Sequence, residues 1–197
     1  MKKFIAVTGG IGCGKTTVIE QVKELGYPVF SCDKIYHQIL ECPDYIRDIN
    51  ENFNNVVVNG RIDRSALREL VFESQEVREK VNALAHPRIM AKLFSLMRDC
   101  EDDLAFAEVP LLFEGNYQKD FDGVIVVLRN ISARIKAICE RDGGDEETAL
   151  QKIRAQFDYE SKENLRKLQT EKIRIIRNDG AKEELKYQVE KAIEFFL

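Results

Sequence analysis

The run Gly9-Gly10-Ile11-Gly12-Cys13-Gly14-Lys15-Thr16 constrains this chain more than any other feature. It satisfies the pattern G-x-x-x-x-G-K-[ST] at every fixed position. Before it, residues 4–8 (Phe4 to Thr8) read as a short buried strand. After it, residues 15–25 read as a helix with Val18, Ile19, Val22 and Leu25 on one face. A loop between a strand and a helix that turns several backbone N–H groups inward needs glycine, because other residues are strained at left-handed backbone angles. The product is an anion cradle at the positive end of a helix. Lys15 is then placed to reach the β- and γ-phosphates of a nucleotide, and the Thr16 hydroxyl to ligate Mg²⁺. Cys13 sits at a free position of the loop. It is read mainly as a small filler, with a thiol somewhat acidified by the helix N-terminus as the lesser alternative.

Around this motif short apolar strands alternate with amphipathic helices, the pattern of a parallel α/β sheet. Further strands are expected at 29–32, 104–109, 123–128 and 172–177. Helices are expected at 33–40, 45–53, 65–72, 76–84, 88–98, 132–141, 146–157, 163–168 and 182–196. Gly26 caps the first helix, with Pro28 just beyond it. Asn59-Gly60 signals a turn, and Asp63 suits the N-cap of the next helix. Ser132 suits another cap. His86-Pro87 reads as the end of one helix and the start of the next. The block 61–98 carries helices and no strand, so it is expected to be inserted into the sheet domain.

Composition excludes several classes. The chain has 197 residues, about one domain, and 44% are hydrophobic, enough to fold without a metal or disulfide. A net charge of −4 excludes a uniformly basic nucleic-acid binder but not a phosphorylated substrate gripped locally. The segment 129–177 is mildly basic on an otherwise acidic chain. Apolar runs are too short to cross a bilayer, and the N-terminal stretch is too short for a secretory leader. The five cysteines are odd in number and have no C-x-x-C spacing, which implies reduced thiols and a cytoplasmic setting.

The loop implies nucleotide binding, and other residues narrow the class. A GTPase needs D-x-x-G after a strand; Asp120-Phe121-Asp122-Gly123 precedes one, and no N/T-K-x-D exists. Motor and transport ATPases are usually longer. A small-molecule kinase with helical flaps remains. Two acids lie at carboxyl ends of expected strands, where ligands of open α/β sheets bind: Asp33 and Glu108. Asp33 suits either chemistry at the acceptor hydroxyl or a plain helix cap. Glu108 suits a metal site. Glu114 faces either substrate or solvent, and His37 is expected to be solvated.

Further residues carry a family resemblance. Thr8 through Thr17, Leu25-Gly26-Tyr27, Asp33, Gly60-Arg61-Ile62-Asp63-Arg64 with Leu67, Val71-Phe72 and His86-Pro87 follow in order. Val109-Pro110-Leu111-Leu112-Phe113-Glu114, Arg141-Asp142, Gln156 and Asn178 with Gly180 complete the series. Together they resemble the dephospho-CoA kinases along nearly the whole chain. The resemblance implies a P-loop fold with a nucleoside-monophosphate-kinase-like core at about 1–60, 100–130 and 170–197, a helical CoA-binding insert at about 61–99, and a lid at about 132–157. It implies phosphoryl transfer from ATP, with Mg²⁺, to the 3′-hydroxyl of dephospho-CoA, by a monomer or weak homo-oligomer without nucleic-acid or membrane partners. Catalytic residues would be Asp33, Lys15 and Arg141. ATP would be held by Gly9, Gly10, Gly12, Cys13, Gly14, Lys15, Thr16, Thr17, Arg141 and Asn178. The acceptor would meet Asp33, Arg64, His86, Leu111 and Glu114, and the metal Thr16, Asp33 and Glu108. The chain departs from the family pattern at Ser31-Cys32, where an acid-Ala pair is usual, and at Cys13, where Ser is usual. It departs also at Arg134, where Gln is common, at Arg177, which replaces an acid, and at Lys172-Ile173, where Ala-Asp is usual. Two other readings of the loop remain: a kinase for nucleosides or nucleoside monophosphates, and a regulatory module that uses ATP as a switch.

Overall fold

A strand that is apolar on both faces must be covered from both sides, the situation of a parallel sheet between helices. The computed structural model describes residues 2–197 and, within them, all side chains other than those of Lys162, Leu165 and Lys167. In chain order the elements are β1 (Lys3–Thr8), α1 (Lys15–Glu24), β2 (Val29–Ser31), α2 (Cys32–Ile39), α3 (Pro43–Asn52), β3 (Val57–Val58), β4 (Arg61–Ile62), α4 (Arg64–Glu73) and α5 (Gln75–Asp99). They continue with β5 (Leu104–Glu108), β6 (Gly123–Leu128), α6 (Ile131–Asp142), α7 (Glu146–Arg154), α8 (Lys162–Leu168), β7 (Ile173–Arg177) and α9 (Lys182–Phe196). Five strands form one sheet in the order β2-β5-β1-β6-β7. β1 is central and pairs in parallel with β5, Val7 opposite Glu108, and with β6, Val7 opposite Ile125. β6 pairs in parallel with β7. The expected α/β class is what forms.

The chain divides into two compact units, one of residues up to Phe30 with Cys100–Leu197, the other Ser31–Asp99. In the first, α1 and α9 close over the sheet, and Ile5, Val7, Val22, Phe106, Ile125 and Val189 are fully buried. α1 stops as expected. Gly26 takes φ 90°, and the N–H groups of Leu25, Gly26 and Tyr27 donate back to Gln21, Lys23 and Val22.

In the second unit α2, α3 and α4 pack on α5. The helical unit therefore begins at Ser31, upstream of the expected insert boundary near residue 61. α5 also differs from expectation: it is one helix with Pro87 inside, not two helices meeting at His86-Pro87. Its buried stripe, Val81, Ala85, Ile89, Leu93 and Met97, repeats every four residues straight through the proline. Pro87 sits on the exposed side, where the missing backbone bond is tolerated most easily. The Arg88 guanidinium donates to the Leu84 carbonyl at 2.7 Å in the same turn. The expectation of no strand in 61–98 is likewise corrected. β4 pairs with β3 as a hairpin whose turn residues Asn59 and Gly60 both have positive φ, 51° and 73°. Two-residue strands are too short to leave a periodic signal. In the first unit, Asn130, not Ser132, caps α6, its side chain accepting from the Ser132 N–H at 2.9 Å. No helix among the described residues is long and apolar enough to cross a membrane.

Asp63 caps α4 as expected, accepting from the N–H groups of Ser65 and Ala66 at 2.9 and 3.1 Å. Asp63→Ala should cost about 1 kcal/mol of stability, read from the urea midpoint at unchanged slope. An unchanged midpoint would show that the cap does not hold the helix.

Candidate functional site

The phosphate-binding loop leaves the central strand and enters α1 in the first unit. Gly12 and Gly14 have φ 77° and 86°, left-handed values that fold the loop into a cradle. The Lys15 ammonium lies across the loop, donating to the carbonyls of Gly9 and Gly10 at 2.9 and 3.2 Å. The Cys13 N–H spans it to the Gly10 carbonyl at 3.3 Å. A side chain at these glycines would have to displace its neighbours. A Cβ at Gly9 would strike the Val127 carbonyl, one at Gly10 the Arg134 guanidinium, and one at Gly14 the Asn178 amide. Thr17 lies in the first turn of α1. Cys13 is buried, and burial pushes its thiol up despite the nearby Lys15, so the filler reading holds and the acidified thiol does not.

Other elements of the same unit grip the loop. Arg134, in the first turn of α6 and buried, donates from Nε to the Ile11 carbonyl at 2.9 Å. Arg129, just after β6, donates to the Gly12 carbonyl at 3.4 Å, and its Nε is buried without a partner. Asn178, just after β7, donates to the Cys13 carbonyl at 3.0 Å. Gln156 Oε1 accepts from the Ile11 N–H at 2.6 Å. The Tyr159 hydroxyl is buried 3.2 Å from the Thr8 hydroxyl, and burial pushes its pKa up. Phe113, Phe157 and Tyr159 form one ring cluster, with Phe113 stacked on Phe157 at 5.0 Å. Glu114 is exposed and accepts from the Phe157 N–H at 3.0 Å, so it ties this loop to 156–159 rather than standing free in solvent. Leu111 is half-buried in the same loop. Glu108 ends β5 beside β1, at the carboxyl edge from which the phosphate loop springs. Arg141 is exposed and bidentate on Asp142, at 2.7 and 3.1 Å, with Lys152 on the same carboxylate at 2.7 Å. These two cations hold the Asp142 carboxyl well below the usual range.

The second unit holds Asp33, Arg64 and His86. Asp33 is exposed in the first turn of α2. Ser31 holds the N-cap position without a side-chain capping bond, and Asp33 is the acid of the first turn. Arg64 reaches Glu41 at 3.3 Å and His37 Nδ1 at 3.4 Å; His37 is exposed, as expected. His86 is half-buried in α5, and burial lowers its pKa, keeping the imidazole neutral at pH 7. A groove of about 1090 Å³ runs between the hairpin and α3, lined by Leu40, Ile46, Arg47, Arg61 and Arg64 among others.

A Mg²⁺ ion takes oxygen ligands and is usually held by one or two protein groups together with phosphates. Thr16 is exposed on the first turn of α1, and no described residue takes up its hydroxyl. Glu108 supplies a carboxylate at the strand edge. Among the described residues no three His, Cys, Asp or Glu side chains cluster to hold a metal by themselves. This donor set fits Mg²⁺ shared with a nucleotide. Sequence reasoning missed Arg129 altogether and took Arg134 only as a departure. Their signal was two arginines following a strand whose carboxyl end borders the ligand crevice.

The chain matches the family model of dephospho-CoA kinase over residues 3–184. It is 34% identical over 193 residues to the dephospho-CoA kinase of Fusobacterium nucleatum, covering 97% of each chain. It is 34% identical over 170 residues to that of Campylobacter jejuni, covering 82% of this chain and 84% of the relative. A crystal structure from Thermus thermophilus superposes with a TM-score of 0.83 at 30% identity, covering 100% of this chain and 98% of the other. The dephospho-CoA kinase structure from Campylobacter jejuni gives 0.69 at 31% identity, with the same coverage.

The Cys13 assignment is open to direct test. At pH 8 iodoacetamide should modify exposed Cys42 readily and Cys13 only slowly, read by peptide mass mapping. Rapid alkylation of Cys13 that ATP prevents would contradict the burial argument.

Proposed function

This chain belongs to the dephospho-CoA kinase family, and we propose that it transfers the γ-phosphoryl group of ATP to the ribose 3′-hydroxyl of dephospho-CoA, yielding CoA and ADP. The observation that carries this reading is the phosphate cradle, with its glycines, Lys15 and Thr16 intact, in a chain matched to the family over almost its full length. In the proposed reaction the 3′-oxygen attacks the γ-phosphorus, the bond from that phosphorus to the β–γ bridging oxygen breaks, and ADP leaves. Most of the rate comes from positioning and charge stabilisation.

The proposed roles follow from position and chemistry. Backbone N–H groups of the loop and Lys15 hold the triphosphate. Thr16 and Glu108, with Asp33 as a further candidate, would hold Mg²⁺, which neutralises phosphate charge when bound. Asp33 accepts or orients the proton of the acceptor hydroxyl; its exposure at the start of α2 supports this role. Arg64 and His86 in the second unit, and Leu111 and Glu114 in the first, are each proposed for acceptor binding on the family resemblance. The segment 132–157 serves as the lid, and Arg141 exchanges its bond with Asp142 for the developing phosphate charge. Closure keeps water from competing for the phosphoryl group. The enzyme acts in the cytoplasm, where its free thiols stay reduced.

Two measurements test this. In a coupled ADP assay, dephospho-CoA should drive turnover while a panel of nucleosides and nucleoside monophosphates does not. Preference for a member of the panel would assign another small kinase, and ATP binding without acceptor-dependent ADP release would leave a switch module. Asp33→Asn should lower kcat by about 100-fold or more at nearly unchanged ATP affinity. A loss of less than about tenfold, or 1.4 kcal/mol of barrier, would remove the proton-accepting role.

A further inference from the structure

Three successive carbonyls of the phosphate loop are each held by a side chain from outside the loop, two from the segment that follows β6 and one from the segment that follows β7. Ile11 is held by Arg134, Gly12 by Arg129 and Cys13 by Asn178, at 2.9, 3.4 and 3.0 Å. In a trans peptide the carbonyl of one residue and the N–H of the next point in opposite directions. Fixing the carbonyls of residues 11, 12 and 13 therefore fixes the N–H groups of Gly12, Cys13 and Gly14. These are the groups that an anion cradle must turn to its concave side. The left-handed φ values of Gly12 and Gly14 supply the freedom, and the three side chains remove it again.

Among the described residues, two of the three holders are cations without an acidic partner. Arginine carries five N–H donors. Arg134 uses Nε on Ile11, and no carboxylate among the described residues pairs with its guanidinium. The nearby Cys13 thiol and Tyr159 phenol feel its charge but stay neutral, because burial keeps their protons on. A half-buried or buried cation without a counter-charge is costly in the protein alone and is relieved by an anionic ligand. The Arg129 Nε, buried and without a partner, points the same way.

We propose that Arg134, Arg129 and Asn178 form an outer clamp of positioning residues that sets the loop N–H groups for the triphosphate, with the two arginines adding positive field. The proposal rests on ATP binding at this loop and does not depend on which acceptor is used. It gives Asn178 a place behind the loop backbone instead of on the nucleotide itself. It also makes the arginine at position 134 a working part of this chain's nucleotide site.

The test uses full-length Arg129→Ala, Asn178→Ala, Arg134→Ala and Arg134→Gln proteins, with thermal melting as the control for folding. ATP dissociation constants are measured without acceptor, and amide hydrogen exchange of residues 12–14 without ATP. Each alanine variant should bind ATP about tenfold more weakly, exchange those amides faster, and keep the KM for dephospho-CoA. Arg134→Gln, whose amide still donates to the Ile11 carbonyl, should recover most of the loss. Should Arg134→Ala fail to fold, Arg129→Ala and Asn178→Ala carry the test. Weaker ATP binding at unchanged loop exchange would leave only charge or direct contact with the nucleotide and would overturn the clamp, as would ATP affinities within twofold of the parent. A parent protein that binds ATP but does not phosphorylate dephospho-CoA would sink the proposed acceptor and leave the clamp standing.

Discussion

The orientation of a few peptide planes between β1 and α1 is the constraint on which the rest of the first unit depends. A backbone loop that receives a polyanion must turn its N–H groups inward and its carbonyls outward. The outward carbonyls then need partners, because buried polar groups left unpaired are costly. The sheet order answers that need. β1 is central, β5 and β6 flank it, and the segments that leave β6 and β7 at the same edge bring Arg129, Arg134 and Asn178 to the loop. Glu108 arrives at the same edge from β5. The parallel sheet thus gathers the site by placing the carboxyl ends of its strands side by side.

The second unit obeys a different rule. Its helices are organised by the stripe on α5, and that stripe overrides a local preference. Pro87 would end a helix on propensity alone, at roughly 3 kcal/mol against alanine. Burial of Val81, Ala85, Ile89, Leu93 and Met97 along one continuous line offsets this, since each such side chain is worth about 1–3 kcal/mol when removed from water. The proline stays on the exposed face, and His86 beside it is half-buried and neutral. Asp33 and Arg64, the proposed acceptor-side residues at the start of α2 and α4, ride on this helical frame.

What was legible in the sequence was local. The glycine spacing, the Gly26 stop and the Asp63 cap each depend on a few neighbouring residues, and each is found where the sequence puts it. What was illegible depends on distance or on competition between equals. Arg134 and Ile11 are 123 residues apart, so no local pattern announces their bond. Asn130 and Ser132 are both good caps two residues apart, and only the path of the chain after β6 chooses between them. Two-residue strands leave no alternation to read, although Asn59-Gly60 announced their turn. Cys13 reads from the sequence mainly as a filler, but the burial that outweighs the pull of the helix terminus on its thiol is not visible there.

Phosphorus NMR of the product formed from ATP and dephospho-CoA bears most directly on the central claim. The account predicts one new phosphomonoester signal, coupled to the ribose 3′-proton, that grows as the γ-phosphate signal of ATP declines, with the diphosphate of the acceptor unchanged. A new phosphate at any other position of the acceptor, or release of inorganic phosphate alone, would contradict it.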